Sequence, residues 1–257
     1  MGKKVKIALV QIKSEILKFK QNLSNARNLA SQARDCDIIV LPETFLSGFA
    51  PEIFSEILPE QNEKAREFLR EISAQKVAIA GLALDENGEI YNRALVYQNG
   101  REIYHYDKIF LFSNSGENKF VRAGDKFGLC EILHDEKSLK IGLAICYDLR
   151  FGEIFRYLAK NGAQIIFVIA QFPHSRIEHF RTLARARAIE AQCFLVALNS
   201  ASGGHSCVIS PEGEILCELG VGQESEICGI NLAQISLVRA QMDILKDERK
   251  EILKEIL

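Results

Sequence analysis

The chain has 257 residues, 47% of them apolar, and a formal net charge of −2. A balance so close to neutral excludes the basic stripe that nucleic-acid binding calls for, and no stretch approaches the roughly 18 apolar residues of a membrane span. The seven cysteines are odd in number, form no CxxC pair and sit in apolar segments, as buried free thiols do in a reducing, cytoplasmic compartment.

The first segment, Val5 to Gln11, is an apolar run of strand length. Its core from Ile7 to Val10 is too short for a signal peptide, and Lys6 stands where N-myristoylation wants Ser or Thr. From about Lys18 to Ala33 the apolar residues Phe19, Leu23, Ala26, Leu29, Ala30 and Ala33 recur at helical spacing. DIIVLPE then reads as a strand covered on both faces and stopped at Pro42. A helix from about Glu60 to Ala74 leads into the strand VAIAGLAL and a turn at Asp85 to Gly88. EIYNRALVYQ and REIYHYD flank Asn99-Gly100, the strongest hairpin signal in the chain.

Periodicity is lost from Lys108 to Lys126, a loop long enough to suggest function. KIGLAICYD is a buried strand, followed by a helix from about Gly152 to Lys160, the strand QIIFVIA and a long helix through SRIEHFRTLARARAIEAQ. CFLVALNS, HSCVIS and EILCELG close the chain as strands. ARDCDIIVLPE and AKNGAQIIFVIAQFP repeat one order of features, which predicts two similar α/β layers within a single domain spanning 1–257. The charged tail, 242–257, carries an apolar stripe (Ile244, Leu245, Ile252, Leu253, Ile256, Leu257) expected to pack on the body or on a second subunit.

Three residues stand where chemistry is expected. Cys146 ends a buried strand just before a turn and a helix, where turn amides and the helix dipole favour a thiolate and lower the pKa from roughly 8.5. Glu43 closes DIIVLPE at the rim of the sheet, half-buried, where a carboxylate can accept a thiol proton. Lys108 opens the polar loop, and an ammonium there can hold an oxyanion. Taken singly, each has a plainer reading as a buried thiol, a turn carboxylate or a surface lysine. A Cys–His pair is open to His105, His134, His174, His179 and His205; metal-ligand spacing and phosphate-loop motifs are absent from the sequence. Arg187 and Glu190 read as an i,i+3 ion pair.

LPETFLSGF around Glu43, YDKIFLF around Lys108, CYDLRFGEIFR around Cys146 and GGHSCVISPEGEIL further on stand in the order and rough spacing of one family. The chain resembles, over nearly its whole length, the nitrilase superfamily of carbon–nitrogen hydrolases. The resemblance implies a four-layer α-β-β-α sandwich, with Glu43, Lys108 and Cys146 meeting at one end and no metal or organic cofactor. It implies a second glutamate after the lysine, assigned to Glu117, that positions Lys108 and substrate. It implies oxyanion contacts from Lys108 and the backbone N–H of Tyr147, a cysteine thioester intermediate, and a homodimer or larger assembly; His205 is left to order the GGHS turn.

CYDLRF is similar to the branch of ω-amidases and deaminated-glutathione amidases, whose substrates are small carboxylated amides. Arg150 is then a candidate carboxylate clamp. The branch's usual Asn-Trp-Pro is replaced here by Gln171-Phe172-Pro173, expected to line and reshape the substrate pocket, in a chain without tryptophan. The alternatives within the superfamily are an N-carbamoyl amine hydrolase and a nitrilase. Outside catalysis, the alternative is a binding protein that keeps the fold.

Overall fold

A computed structural model describes residues 4–253. In chain order they form β1 (Val5–Gln11), α1 (Phe19–Gln32), β2 (Ile38–Val40), α2 (Pro59–Ile72), β3 (Val77–Glu86), β4 (Glu89–Gln98), β5 (Arg101–Asp107), the single turn α3 (Glu117–Phe120), β6 (Gly128–His134), β7 (Lys137–Ile145) and α4 (Gly152–Lys160). Then follow β8 (Ile165–Ala170), α5 (Ile177–Ala191), β9 (Phe194–Asn199), β10 (Cys207–Ile209), β11 (Ile215–Glu218), β12 (Glu224–Ile230), α6 (Ala233–Gln241) and α7 (Lys250–Leu253).

The strands make two six-stranded sheets, in the orders β12-β1-β2-β3-β4-β5 and β11-β10-β9-β8-β7-β6. Each has a parallel centre, β1-β2-β3 in one and β7-β8-β9 in the other. Each centre is flanked by one antiparallel strand before it and two after it. The echo in the sequence has a structural counterpart: DIIV and QIIFVIA are β2 and β8, the middle strands of the two parallel centres.

Alternation sorts the side chains into layers, because successive residues of a strand face opposite ways. Ile7, Leu9, Ile38 and Val40 meet Ile141, Leu143, Ile165 and Phe167 in a core between the sheets. Ala8, Val10 and Ile39 turn outward onto Ala26, Leu29, Phe68 and Leu69 of α1 and α2. Ala144, Ile166 and Val168 turn outward onto Phe155, Leu158, Phe180 and Ala184 of α4 and α5. The arrangement is the expected four-layer α-β-β-α sandwich, and among the described residues no helix is long and apolar enough to cross a membrane.

Besides the single turn α3, which lies inside the polar loop, three elements are not evident in the sequence pattern. β6 and β12 each bury only alternate residues, and β12 carries three glutamate and serine side chains in its first three positions, so neither shows an apolar run. Their partners, β7 and β1, supply the pairing that makes them strands. α6 has an almost uniform polarity and buries Ile235 alone. Of the tail, Leu245 packs against the outer core beside α4 and α5, and Glu248 ion-pairs with Arg156 and Lys160. Ile256 and Leu257 lie outside the described residues.

Gly81 on β3 sets the height of the chain after β2. A Cβ there would lie 2.6 Å from Glu43 Cα and 2.9 Å from Thr44 N, while the Gly81 amide and carbonyl bond Pro42 O and Phe45 N. Gly81→Ala is therefore expected to cost about 1–3 kcal/mol through overpacking. At Gly229 the same Cβ would meet only Lys4 Cδ at 3.5 Å, and Gly229→Ala should stay within about 0.5 kcal/mol of wild type. Urea denaturation of both variants checks the pair; equal costs would refute the close-approach argument.

Candidate active site

Cys146 sits where β7 breaks into a short turn, Cys146–Arg150, at a positive φ of 47°. The left-handed region is strained for a residue with a Cβ, so the turn needs bracing. Asp148 supplies it from within: Oδ2 accepts the Ile145 amide at 2.8 Å and the Tyr106 hydroxyl at 2.8 Å, and Oδ1 accepts the Phe110 amide at 3.0 Å. From outside, Arg187 donates to Leu149 O at 3.0 Å and Arg150 O at 3.1 Å while pairing with Glu190 at 2.8 Å. The expected Arg187–Glu190 pair is present, and its arginine also ties α5 to the cysteine turn.

The chain after β2 brings Glu43 to the same end of the sandwich. The loop after β5 brings Lys108, and α3 brings Glu117. Lys108 Nζ lies 3.0 Å from Glu43 Oε1 and 3.0 Å from both oxygens of Glu117. None of the three is more than 1% exposed. Glu43 is thus fully rather than half-buried, and Glu117 is a buried partner of Lys108 rather than a solvated loop carboxylate. Asn92 on β4 joins them, its Nδ2 donating to Glu43 Oε1 at 2.7 Å and Glu117 Oε1 at 2.9 Å. The remaining oxygens accept backbone amides: Gln171 N to Glu43 Oε2 at 3.0 Å and Phe112 N to Glu117 Oε2 at 2.7 Å.

The thiol's state differs from the expectation of a thiolate. Burial, and then the charge of Glu43 beside it, push the Cys146 thiol well above its ordinary value; Lys108 pulls it only part of the way back. The turn geometry is as read, but burial, and after it a neighbouring carboxylate, outweigh the amide dipoles. The resting group is a neutral thiol within hydrogen-bonding reach of Glu43. Burial works against the Lys108 charge as well, yet the carboxylates of Glu43 and Glu117 overcome it and hold the ammonium above its usual range.

Above Cys146 opens a cavity of about 250 Å³. Phe49, Phe112, Tyr147 and Phe172 wall it, and Lys108 reaches its floor. Arg150 lies at the cavity over the faces of Tyr147 and Phe172, 5.7 and 5.5 Å from the ring centroids. Arg176 lies over Phe112 at 5.3 Å. Among the described residues neither guanidinium has an acidic partner. No histidine lines the cavity; His179 sits beside Arg150 at 3.5 Å, and His205 pairs with Glu218 at 3.1 Å, as befits a turn residue.

Gln171 borders the cavity as expected. Its side-chain nitrogen is engaged with Glu43 O at 2.8 Å and Thr44 Oγ1 at 2.7 Å, which also ties the two sheets together at Glu43. Asn92 and Arg176 were not singled out from the sequence. Asn92 had a signal: an asparagine within β4, just before its apolar run Ala94–Tyr97, is disfavoured unless its amide has buried partners. Arg176 had none, being one of several arginines around one helix.

Asp148 offers a measurable consequence. Burial pushes its carboxyl up to about 6, against the pull of the Ile145 and Phe110 amides, from roughly 3.9 in an unfolded chain. A carboxyl raised on folding holds its proton more tightly when folded, so its stabilising contribution is complete below about pH 4 and is lost as pH rises through about 6. Asp148→Asn removes that titration. The stability of wild type minus that of the variant should fall by about 2 kcal/mol between pH 4 and pH 7; a difference flat with pH in urea titrations would refute it.

The carbon–nitrogen hydrolase family profile matches residues 6–242. The 2-oxoglutaramate amidase of Bacillus subtilis is 29% identical over 87% of this chain and 89% of its own length. The deaminated glutathione amidase of Synechocystis is 31% identical over 88% and 92%. The crystal structure of a CN-hydrolase superfamily protein from Xanthomonas campestris superposes with a TM-score of 0.86 at 25% identity, covering 97% of this chain and 98% of that one. Sequence, fold and the buried Glu-Lys-Glu cluster beside a cysteine agree, and the chain belongs to the carbon–nitrogen hydrolase family.

Proposed function

We propose that the protein is a linear amidase of the ω-amidase type, releasing ammonia from a small amide that also bears a free carboxylate. The observation that carries this reading is the cavity: a thiol beside Glu43 and Lys108 at its floor, and two arginines without acidic partners at its walls. A guanidinium free of protein carboxylates is poised to take a substrate's carboxylate. The amidases among the relatives support the same bond class.

In this reading Glu43 removes the Cys146 proton as the sulfur attacks the amide carbon, since the thiol is neutral at rest. The oxyanion lies against Lys108 Nζ and the backbone N–H of Tyr147, and Glu117 holds the ammonium in place. As the carbon–nitrogen bond breaks, Glu43 returns the proton to the departing ammonia and a thioester remains. Water gives a proton to Glu43, adds to the thioester, and frees the acid and the reprotonated thiol. Phe172 provides an apolar wall, and Arg150 and Arg176 bind the carboxylate.

Ammonia release from α-ketoglutaramate, succinamate, deaminated glutathione, N-carbamoylputrescine and an aliphatic nitrile tests the reading. The carboxylated amides should turn over, and Cys146→Ala should abolish turnover. Carbon dioxide accompanying the ammonia would assign a carbamoyl hydrolase, and turnover of the nitrile alone a nitrilase; silence throughout would overturn the substrate assignment and leave the fold and family standing. Arg150→Met and Arg176→Met should each lower the ratio of kcat/KM for succinamate over butyramide by roughly 10-fold. An unchanged ratio would remove the carboxylate from the reading.

We also infer a homodimer or larger in a reducing cytoplasm. Phe127 and Tyr157 stack at 4.0 Å while each stays about two-fifths exposed, an apolar surface on the α4 side, and all seven cysteines are free. A monomer mass by light scattering would overturn the assembly.

A further inference from the structure

Asn92 stands at a crossing that the mechanism above leaves without a role. It is fully buried in β4, and the Lys108 amide bonds its carbonyl at 2.9 Å. Its side-chain nitrogen spends both hydrogens on carboxylates, one on Glu43 and one on Glu117. Its Oδ1 finds no donor among the described residues. Turning the amide over would set Oδ1 against two carboxylate oxygens, so its orientation is fixed by charge. A residue present only to fill space would have no reason to be an amide here, since a buried acceptor without a donor is costly.

The hydrogen-bond count at Glu43 shows what the amide achieves. A carboxylate oxygen offers about two acceptor sites. Oε1 has both filled, by Lys108 at 3.0 Å and Asn92 at 2.7 Å. Oε2 has one filled, by the Gln171 amide at 3.0 Å, and keeps one free. The charge count is equally specific. Two carboxylates face one ammonium, leaving the cluster at −1, with the Cys146 thiol and the Asp148 carboxyl as the other titratable neighbours. A cation in place of Asn92 would neutralise the cluster and take away Glu43's basicity. A neutral double donor orders both carboxylates and leaves the charge as it is.

We propose that Asn92 is a positioning residue for the proton transfer: it saturates Glu43 Oε1, ties Glu43 to Glu117, and so leaves Oε2 as the oxygen that takes the Cys146 proton. This rests on the reading of Glu43 as base and Cys146 as nucleophile, but not on any particular amide. Its consequence is a pH dependence of the thiol's reactivity that Asn92 controls without touching substrate.

The test is the rate of Cys146 alkylation by iodoacetamide against pH, followed by the mass of the Cys146 peptide, in wild type, Asn92→Asp and Asn92→Ala. Asn92→Asp keeps the shape but puts a third carboxylate at the crossing. It should move the acid limb of the profile to higher pH by about one unit or more. Asn92→Ala removes both donors, and its plateau rate should fall on the order of 10-fold or more. Thermal unfolding of each variant is recorded alongside; should one variant fail to fold, the other decides. A limb unmoved in Asn92→Asp, or a plateau within about 2-fold of wild type in folded Asn92→Ala, overturns the assignment. Because alkylation requires no amide, that result would leave the substrate reading to the ammonia panel alone.

Discussion

Three charges held out of water govern this site. Glu43, Glu117 and Lys108 are together almost wholly inaccessible, and a buried charge is tolerable only when it is paired and hydrogen-bonded. Every oxygen of the two carboxylates has a donor, from Lys108, Asn92 or a backbone amide. That requirement ties five segments to one point: the ends of β2 and β8, the body of β4, the loop after β5 and the turn α3. A shift of any one would leave a charge without its partner. The cluster is therefore a condition on the whole sandwich, and the same low dielectric that makes it exacting makes its charges effective on a reacting carbonyl.

The doubled topology explains why the cluster can be assembled at all. Each sheet carries three parallel strands at its centre, and their carboxyl ends carry the working loops. Glu43 follows the middle strand of one sheet and Gln171 the middle strand of the other; the two meet through the bonds from Gln171 to Glu43 and Thr44. Cys146 follows β7, beside Gln171. Packing the two sheets face to face thus brings Glu43 and Cys146, the proposed base and nucleophile, together from separate layers. Gly81 allows the approach from below, and Asp148 and Arg187 hold the strained cysteine turn from either side.

The proposed chemistry divides the labour. In that reading the buried floor manages protons and the oxyanion, and the arginines over the aromatic walls, which have no acidic partner among the described residues, recognise the substrate's carboxylate. Replacement of the branch's Asn-Trp-Pro by Gln171-Phe172-Pro173 changes both levels at once. The longer amide of Gln171 reaches across to the Glu43 loop, and Phe172 lies beneath Arg150 without an indole donor.

Much of this was written locally in the chain. The buried strands, α1, α2, α4 and α5, and the hairpin at Asn99-Gly100 follow from apolar spacing and turn residues acting over a few positions. Glu43, Lys108 and Cys146 were readable as candidates because each sits in a motif in the order of the resemblance, and Glu117 because it is the acidic residue of the loop segment SNSGENKF after Lys108. What the tertiary structure decided depends on partners far away in the chain. β6 and β12 are strands because β7 and β1 pair with them. The Cys146 thiol is pushed up first by its burial in the assembled site and then by the charge of Glu43 from the other sheet, against the dipoles of its own turn. Gln171 bonds the Glu43 loop, and Asn92 joins two glutamates, for a reason no local pattern carries: hydrogen-bond saturation of a buried charge is a property of the assembled site.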